Sequence, residues 1–336
     1  MPGTEIVGHE PQRARLKHLV QNGKIPGTLA FSGQSGVGKL PVARELTRTL
    51  LCQSAPGNPA ANPYGGCNKC NSCQLFDAGN HPDFHFVNCH EKEDASVAAI
   101  REVLHRLSLR GFAGQNRVTI FNDAESLSIQ AANILLKALE EPSNNTFFIL
   151  VTANHSKLPA TLLSRCQLWH FDNLDPAEIE KVLSRRSARG EIHLSREALH
   201  EVALLADGTL DGIDRIISDL DSWKDIKQHL DQLELGAVHE YFNFVREISK
   251  DRDRLRAKLG QIRIYSRQRM LLSDTPRAQK LWSVFLTNII ESERLIFERN
   301  LAAATVLCAA ALDFIGSSGS FTGPVNGANL ISKIVV

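Results

Sequence analysis

Ser32-Gly33-Gln34-Ser35-Gly36-Val37-Gly38-Lys39-Leu40 is the stretch that decides how this chain is read. It meets the phosphate-loop pattern Gly-x-x-x-x-Gly-Lys-[Ser/Thr] at Gly33, Gly38 and Lys39, then departs from it at Leu40. In a complete loop the backbone N–H groups cradle phosphates, the lysine pairs with the outer phosphates, and the final hydroxyl holds Mg²⁺. Leucine has no oxygen to give a metal. Gly33, Gly36, Gly38 and Lys39 are therefore the candidate nucleotide-binding residues of a degenerate loop. ATP or ADP can occupy such a loop, but hydrolysis is not expected.

The flanks support this reading. Thr28-Leu29-Ala30-Phe31 is a short apolar run, read as a strand entering the loop. Val42–Leu51 carries apolar residues at helical spacing, and Pro41 falls in the first helical turn, where its missing N–H costs little. A glycine-rich turn that never meets a nucleotide is the plain alternative.

A chain of 336 residues suggests two or three domains, and 43% hydrophobic content suits sizeable cores. The formal net charge of +1 provides no global field to attract nucleic acid. The chain has no 18-residue apolar run, and its first residues lack a basic segment followed by an apolar core. The expectation is a cytoplasmic protein with neither membrane span nor secretion signal. The seven cysteines are then expected as thiols or metal ligands rather than disulfides.

Three of them lie together, in Cys67-Asn68-Lys69-Cys70-Asn71-Ser72-Cys73. Thiols at C-x2-C-x2-C spacing can converge on one ion, and a fourth completes the tetrahedron of structural Zn²⁺. Cys52 is the leading candidate for that fourth ligand and Cys89 is its competitor. Residues 53–66, rich in Pro, Gly, Asn and Ala, read as an irregular excursion between Cys52 and the cluster. A closed four-thiolate site has no open coordination position, so the expected cofactor is one structural zinc per chain, tying the insert at 52–73 down. Small buried cysteines are the bland alternative, which three thiols in seven residues argue against.

Arg117–Glu125 reads as the third strand and the acidic site after it. An active nucleoside triphosphatase of this type places an aspartate at the strand end to hold Mg²⁺ through water, and a glutamate beside it to activate the attacking water. Asn122 and Asp123 occupy those positions. An amide is a poor substitute for a charged metal ligand, and Asp123 is one methylene shorter than glutamate. Leu40 and Asn122 are thus two defects acting on the same ion, which argues that hydrolysis has been abandoned.

Strands are also expected over Asp83–Val87, Thr146–Val151 and Gln167–Phe171. Helices are expected over residues 91–109, over 127–141 up to Pro142, and over Lys157–Leu163. Strands alternating with helices predict an α/β class with a five-stranded parallel sheet covered on both faces. His85 and His105 are read as surface or internally satisfied histidines.

The degenerate loop, the cysteine cluster, His81-Pro82-Asp83, the run Ala131-Ala132-Asn133 to Lys137 and Pro142, and Ser164-Arg165-Cys166 together resemble delta-prime-type subunits of the bacterial DNA polymerase III clamp loader, an AAA+ family. The resemblance is dense over residues 5–171. It implies a hetero-oligomeric arc with tau/gamma motor subunits and delta, acting on a sliding clamp and primer-template DNA as part of the polymerase holoenzyme. It also implies a role for Arg165 as an arginine finger, offered in trans to the ATP site of a neighbouring motor subunit. On spacing alone Arg165 would be a surface salt-bridge arginine, and Cys166 is read as packing.

Residues 1–172 are thus expected as an AAA+ domain carrying the zinc insert. Residues 173–222 follow as a helical lid, with helices near Ala177–Arg189, Ser195–Leu205 and Gly212–Leu220. Arg215 lies one turn late for the nucleotide-sensing arginine of an active lid. Residues 223–316 are expected as an all-α oligomerising collar, in which Ile289–Ile315 is an apolar helical run, and 317–336 as a loose tail. Asp251–Arg269 mixes both charge signs and reads as a solvated helix face rather than a DNA-facing stripe. Two rival functions are an active tau/gamma-like ATPase motor and a zinc-dependent nucleic-acid-binding module.

Overall fold

The computed structural model describes residues 6–54, 63–90, 93–108, 116–140 and 145–318. Most of the irregular excursion, the stop at Pro142 and nearly all of the expected tail lie outside the described residues. The chain falls into two compact units, one of 1–195 with 208–211 and one of 196–207 with 212–336.

In the first unit, α1 (Glu10–Gln21) precedes β1 (Thr28–Ser32), the glycine loop and α2 (Lys39–Leu51). A short helix α3 (Asn71–Asp77) follows the cysteine cluster, then β2 (Phe84–Asn88), α4 (Glu93–Ser108) and β3 (Arg117–Asn122). The unit continues through α5 (Ile129–Glu140), β4 (Thr146–Thr152), α6 (Ala160–Leu163), β5 (Gln167–His170) and α7 (Pro176–Ala188). The five strands are all parallel, in the order β2-β3-β4-β1-β5.

Alternation along the strands explains how both faces are covered. Leu29 and Phe31, Val118 and Ile120, and Ile149 and Val151 turn to one side, against Leu16 and Val20 of α1 and Val42, Leu46 and Leu50 of α2. Ala30, Phe121, Phe148 and Leu150 turn to the other, against Ile100 and Val103 of α4 and Ala131 and Leu135 of α5. Successive side chains of a strand point to opposite faces, so a sheet buried on both sides reads as continuous apolar sequence.

Boundaries differ from the sequence reading at a few points. The helix expected from residue 127 begins at Ile129, because Ser128 takes the capping position and its Oγ accepts from the Ala131 N–H at 3.2 Å. The one expected over Lys157–Leu163 shrinks to α6, since Pro159 precedes it and His155–Lys157 forms a separate 3-10 turn.

The second unit is helical throughout its described residues: α8 (Arg196–Leu205), α9 (Ile213–Ser218), α10 (Leu220–Glu234), α11 (Val238–Ile248), α12 (Arg252–Leu272), α13 (Pro276–Phe297) and α14 (Ala303–Ser318). Trp282 is fully buried at its centre, with ring centroids 5.8 Å from Phe285 and 4.9 Å from Phe314. The apolar run Ile289–Ile315 is divided between α13 and α14 at Asn300, which has φ 57°. The charged stretch on α12 is largely neutralised locally. Arg254 pairs with Asp251, Lys258 with Asp225, Arg263 with Glu293, Arg267 with Asp207 and Arg269 with Glu234.

Candidate functional site

The sheet reverses its direction of growth at β1. The chain crosses from β1 to the far edge β2, returns through β3 and β4, and then passes β1 to reach β5. Ligands of open α/β sheets sit at the carboxyl ends of strands at such a switch point. A cavity of about 390 Å³ lies there, lined by Gly36, Gly38, Lys39, Leu40, Asn122 and Asp123, with Thr152 from the end of β4. The structure therefore brings the loop, the last residue of β3 and the residue after it to one place, 83 residues apart in sequence between Lys39 and Asn122.

The loop is held from several sides. A Cβ on Gly33 would stand 2.2 Å from the carbonyl oxygen of Phe171, so only glycine permits this approach of loop to β5. His9 Nε2 lies 2.7 Å from the Val37 carbonyl oxygen, and the Leu210 N–H donates to that of Gly36 at 2.9 Å. The Lys39 ammonium folds inward and donates to the carbonyls of Gly33 at 2.6 Å and Gln34 at 2.7 Å. Burial lowers its pKa, and the carboxylates of Glu125 and Asp123 oppose that shift. Glu125 ends the acidic stretch read from the sequence, which gave it no role. Its Oε1 accepts from the Ala153 N–H at 3.0 Å, while its Oε2 is buried with no hydrogen-bond partner. The signal was an acidic residue two places beyond Asp123.

The donor set fits a phosphate group better than a divalent cation. Glycine N–H groups and a lysine suit an anion. Towards a cation the wall presents the alkyl chain of Leu40 and the Asn122 amide, whose Nδ2 donates to Asp123 Oδ2 at 2.9 Å.

A second constellation forms beyond α2. The sulfurs of Cys52, Cys67, Cys70 and Cys73 all lie within 4.8 Å of one another, and those of Cys52 and Cys70 are 4.0 Å apart. Tetrahedral zinc with bonds of about 2.3 Å spaces its sulfurs by about 3.8 Å, so the four thiols fit such an ion. Backbone N–H groups already point at three of them: Cys67 N at Cys52 (3.4 Å), Cys70 N at Cys67 (3.3 Å), and Gln53 N and Cys73 N at Cys70 (both 3.4 Å). Such outer contacts orient ligands and favour the thiolate. A Cβ on Gly66 would stand 2.9 Å from Cys73 Sγ, so this turn too requires glycine.

Cys52 supplies the fourth sulfur. The competitor Cys89 lies instead in the core between the sheet and α4 and α5, where burial pushes its thiol up to about 12. Cys166 packs against the same core. His81, noted in sequence only as part of a motif, joins the cluster to the sheet. Its Nε2 lies 2.7 Å from Ser72 Oγ, which donates to the Leu51 carbonyl at 2.5 Å. The helix α3 was not foreseen; Cys70 caps it and Phe76 anchors it at 4.9 Å from Phe84.

Arg165 follows α6 at the surface, about 33% exposed. Its guanidinium pairs with Glu140 at the end of α5 and donates to the Thr161 carbonyl at 2.8 Å. Arg215 on α9 is 75% exposed, with Asp219 as its carboxylate neighbour at 3.9 Å.

A glycine loop at the switch point of a five-stranded parallel sheet, followed by a part that is helical throughout its described residues, has the fold of the AAA+ class. Residues 8–175 match the family described as DNA polymerase III, delta subunit, and the chain belongs to that family. It is 31% identical to the DNA polymerase III subunit delta' of Bacillus subtilis over 167 residues, covering 49% of this chain and 48% of that protein. With the subunit delta' of Escherichia coli the identity is 34% over 200 residues, covering 59% and 57%. The Escherichia coli subunit tau is 33% identical over 211 residues, covering 61% of this chain and 31% of that protein. The chain thus spans about half the length of the delta' proteins it matches. Among the described residues no helix is long and apolar enough to cross a membrane.

Proposed function

We propose that this chain is a subunit of a bacterial DNA polymerase III clamp loader that does not itself hydrolyse ATP, and that it supplies Arg165 in trans to the ATP site of a neighbouring tau/gamma-type motor. The observation that carries this reading is the meeting of Leu40 and Asn122 on the wall of one cavity. Each removes a Mg²⁺ ligand, and phosphoryl transfer depends on that ion. In this reading Gly33, Gly36, Gly38 and Lys39 retain at most a passive nucleotide, while Cys52, Cys67, Cys70 and Cys73 hold one structural zinc. The helices of 173–222 serve as lid and those of 223–316 as collar, joining delta and the motor subunits in an arc that acts on the sliding clamp and primer-template DNA in the cytoplasm.

Two measurements test the proposal. The purified chain should show no magnesium-dependent ATP turnover that Lys39→Ala abolishes. The assembled complex should lose turnover when this chain carries Arg165→Ala, by up to about a thousand-fold at the affected site. Unchanged turnover would remove the finger role.

The other reading, an active motor, has one observation in its favour: Glu125 and Asp123 place two carboxylates close enough to act on Lys39. Magnesium-dependent turnover by the chain alone would select it.

A further inference from the structure

Arg165 is restrained inside its own chain. One terminal guanidinium nitrogen, Nη2, pairs with Glu140, and the other, Nη1, donates to the Thr161 carbonyl at 2.8 Å and to Ser164 Oγ at 3.3 Å. The backbone turn is fixed as well, by the Arg165 N–H on the Leu162 carbonyl at 3.1 Å. Glu140 closes α5 and is about 47% exposed, so the pair stands in solvent at the corner between α5 and α6. A guanidinium engaged by a carboxylate reaches a phosphate only by exchanging one anion for the other.

We propose that Glu140 is a positioning residue that holds Arg165 against the α5–α6 corner until a triphosphate displaces it, so that breaking this pair is part of engaging the terminal phosphate. The inference rests on the finger reading given above. An exposed arginine–carboxylate pair is weak, so it does not block the finger. It sets a threshold that a compact, multiply charged terminal phosphate overcomes and a diphosphate, which lacks that group, meets less well. Glutamine at 140 keeps the shape and a hydrogen-bond acceptor but removes the competing charge.

The test uses complexes assembled from candidate motor subunits and the full chain, as wild type, Glu140→Gln, Glu140→Asp, Arg165→Ala and the Glu140→Gln/Arg165→Ala double variant. Glu140→Gln should lower the KM for ATP by about two- to five-fold at unchanged kcat. Inhibition by ADP should shift by less than the KM for ATP, because a diphosphate engages the finger less well. Glu140→Asp should return towards wild type, and the double variant should behave as Arg165→Ala. In the free chain, Glu140→Gln should accelerate exchange of the Arg165 side-chain N–H protons.

If Arg165→Ala impairs turnover while Glu140→Gln alters neither KM nor ADP inhibition, the holding role is wrong and the finger stands. A fall in kcat alone, or unchanged proton exchange in the free chain, also overturns it. If Arg165→Ala leaves turnover intact, the finger reading fails and this inference fails with it.

Discussion

The side-chain amide of Asn122 donates to the carboxylate of Asp123 across 2.9 Å. Asp123 has φ 53°, so a left-handed backbone brings its side chain back over the residue before it. The acidic group that could face a cation is engaged instead by the neighbouring amide. An aspartate at 122 would reverse this, because two adjacent carboxylates repel unless a cation lies between them.

This gives a gain-of-function prediction. Leu40→Thr with Asn122→Asp should confer magnesium-dependent ATP affinity on the purified chain, on the order of ten-fold tighter than without the ion. Either substitution alone should give less than the pair. Titration with a fluorescent nucleotide, with and without Mg²⁺, reads the outcome. Equal affinity in both conditions would mean that some other feature of the pocket excludes the ion.

The thiol cluster should bind one zinc per chain. Cys70→Ser should release it and lower the melting temperature of the first unit, because Cys70 belongs to the thiol cluster and also caps α3. Cys89→Ser should leave the metal content at one. After chelation, alkylation at pH 8 should label Cys67 first, since backbone N–H groups of Lys69 and Cys70 bring its thiol down to about 6, and should leave Cys73 slow, since burial pushes it up to about 12. It should spare Cys89 and Cys166, since burial pushes these up to about 12 and about 11 and the thiolate is the reacting form. Peptide mass spectrometry checks each position.

Arg165→Ala should leave the melting temperature of the chain nearly unchanged, because an exposed ion pair contributes only about 0–1 kcal/mol. A circular-dichroism melt separates this from loss of turnover in the complex. A large fall in stability would assign Arg165 to the scaffold.

The strands were legible because buried parallel strands are continuous apolar runs: Thr28–Ser32 and Thr146–Thr152 each extend one residue beyond the segment expected. The loop and the three clustered cysteines were legible because their chemistry depends on spacing. Contacts across the chain were not. Glu125 depends on the 3-10 turn Ala124–Ser126 after β3, whereas Cys52 was already preferred over Cys89 and meets the cluster where α2 ends. No local pattern shows that Glu140 meets Arg165, since the two are 25 residues apart and joined only by the packing of α5 beside α6.

His81 should make the first unit acid-sensitive. In the folded chain its Nδ1 accepts from the Asp83 N–H at 3.1 Å, and its Nε2 faces Ser72 Oγ at 2.7 Å, a hydroxyl already donating to Leu51. Only the neutral ring with its proton on Nε2 satisfies both neighbours. Burial lowers the His81 pKa, with Asp83 opposing, and lowers that of His85 in the same direction, with Arg106 assisting. The unfolded chain, with histidine pKa values near 6.5, therefore binds protons more readily than the folded one. Stability should be constant above about pH 6.5 and fall as pH drops below it. Glutamine can accept from Asp83 and donate to Ser72 without titrating, so His81→Gln should flatten the acid limb between about pH 6.5 and 5. His85 should retain part of the slope. Urea melts across this range, with zinc content measured at each pH, test the expectation. An acid limb identical in both proteins would place the sensitivity elsewhere.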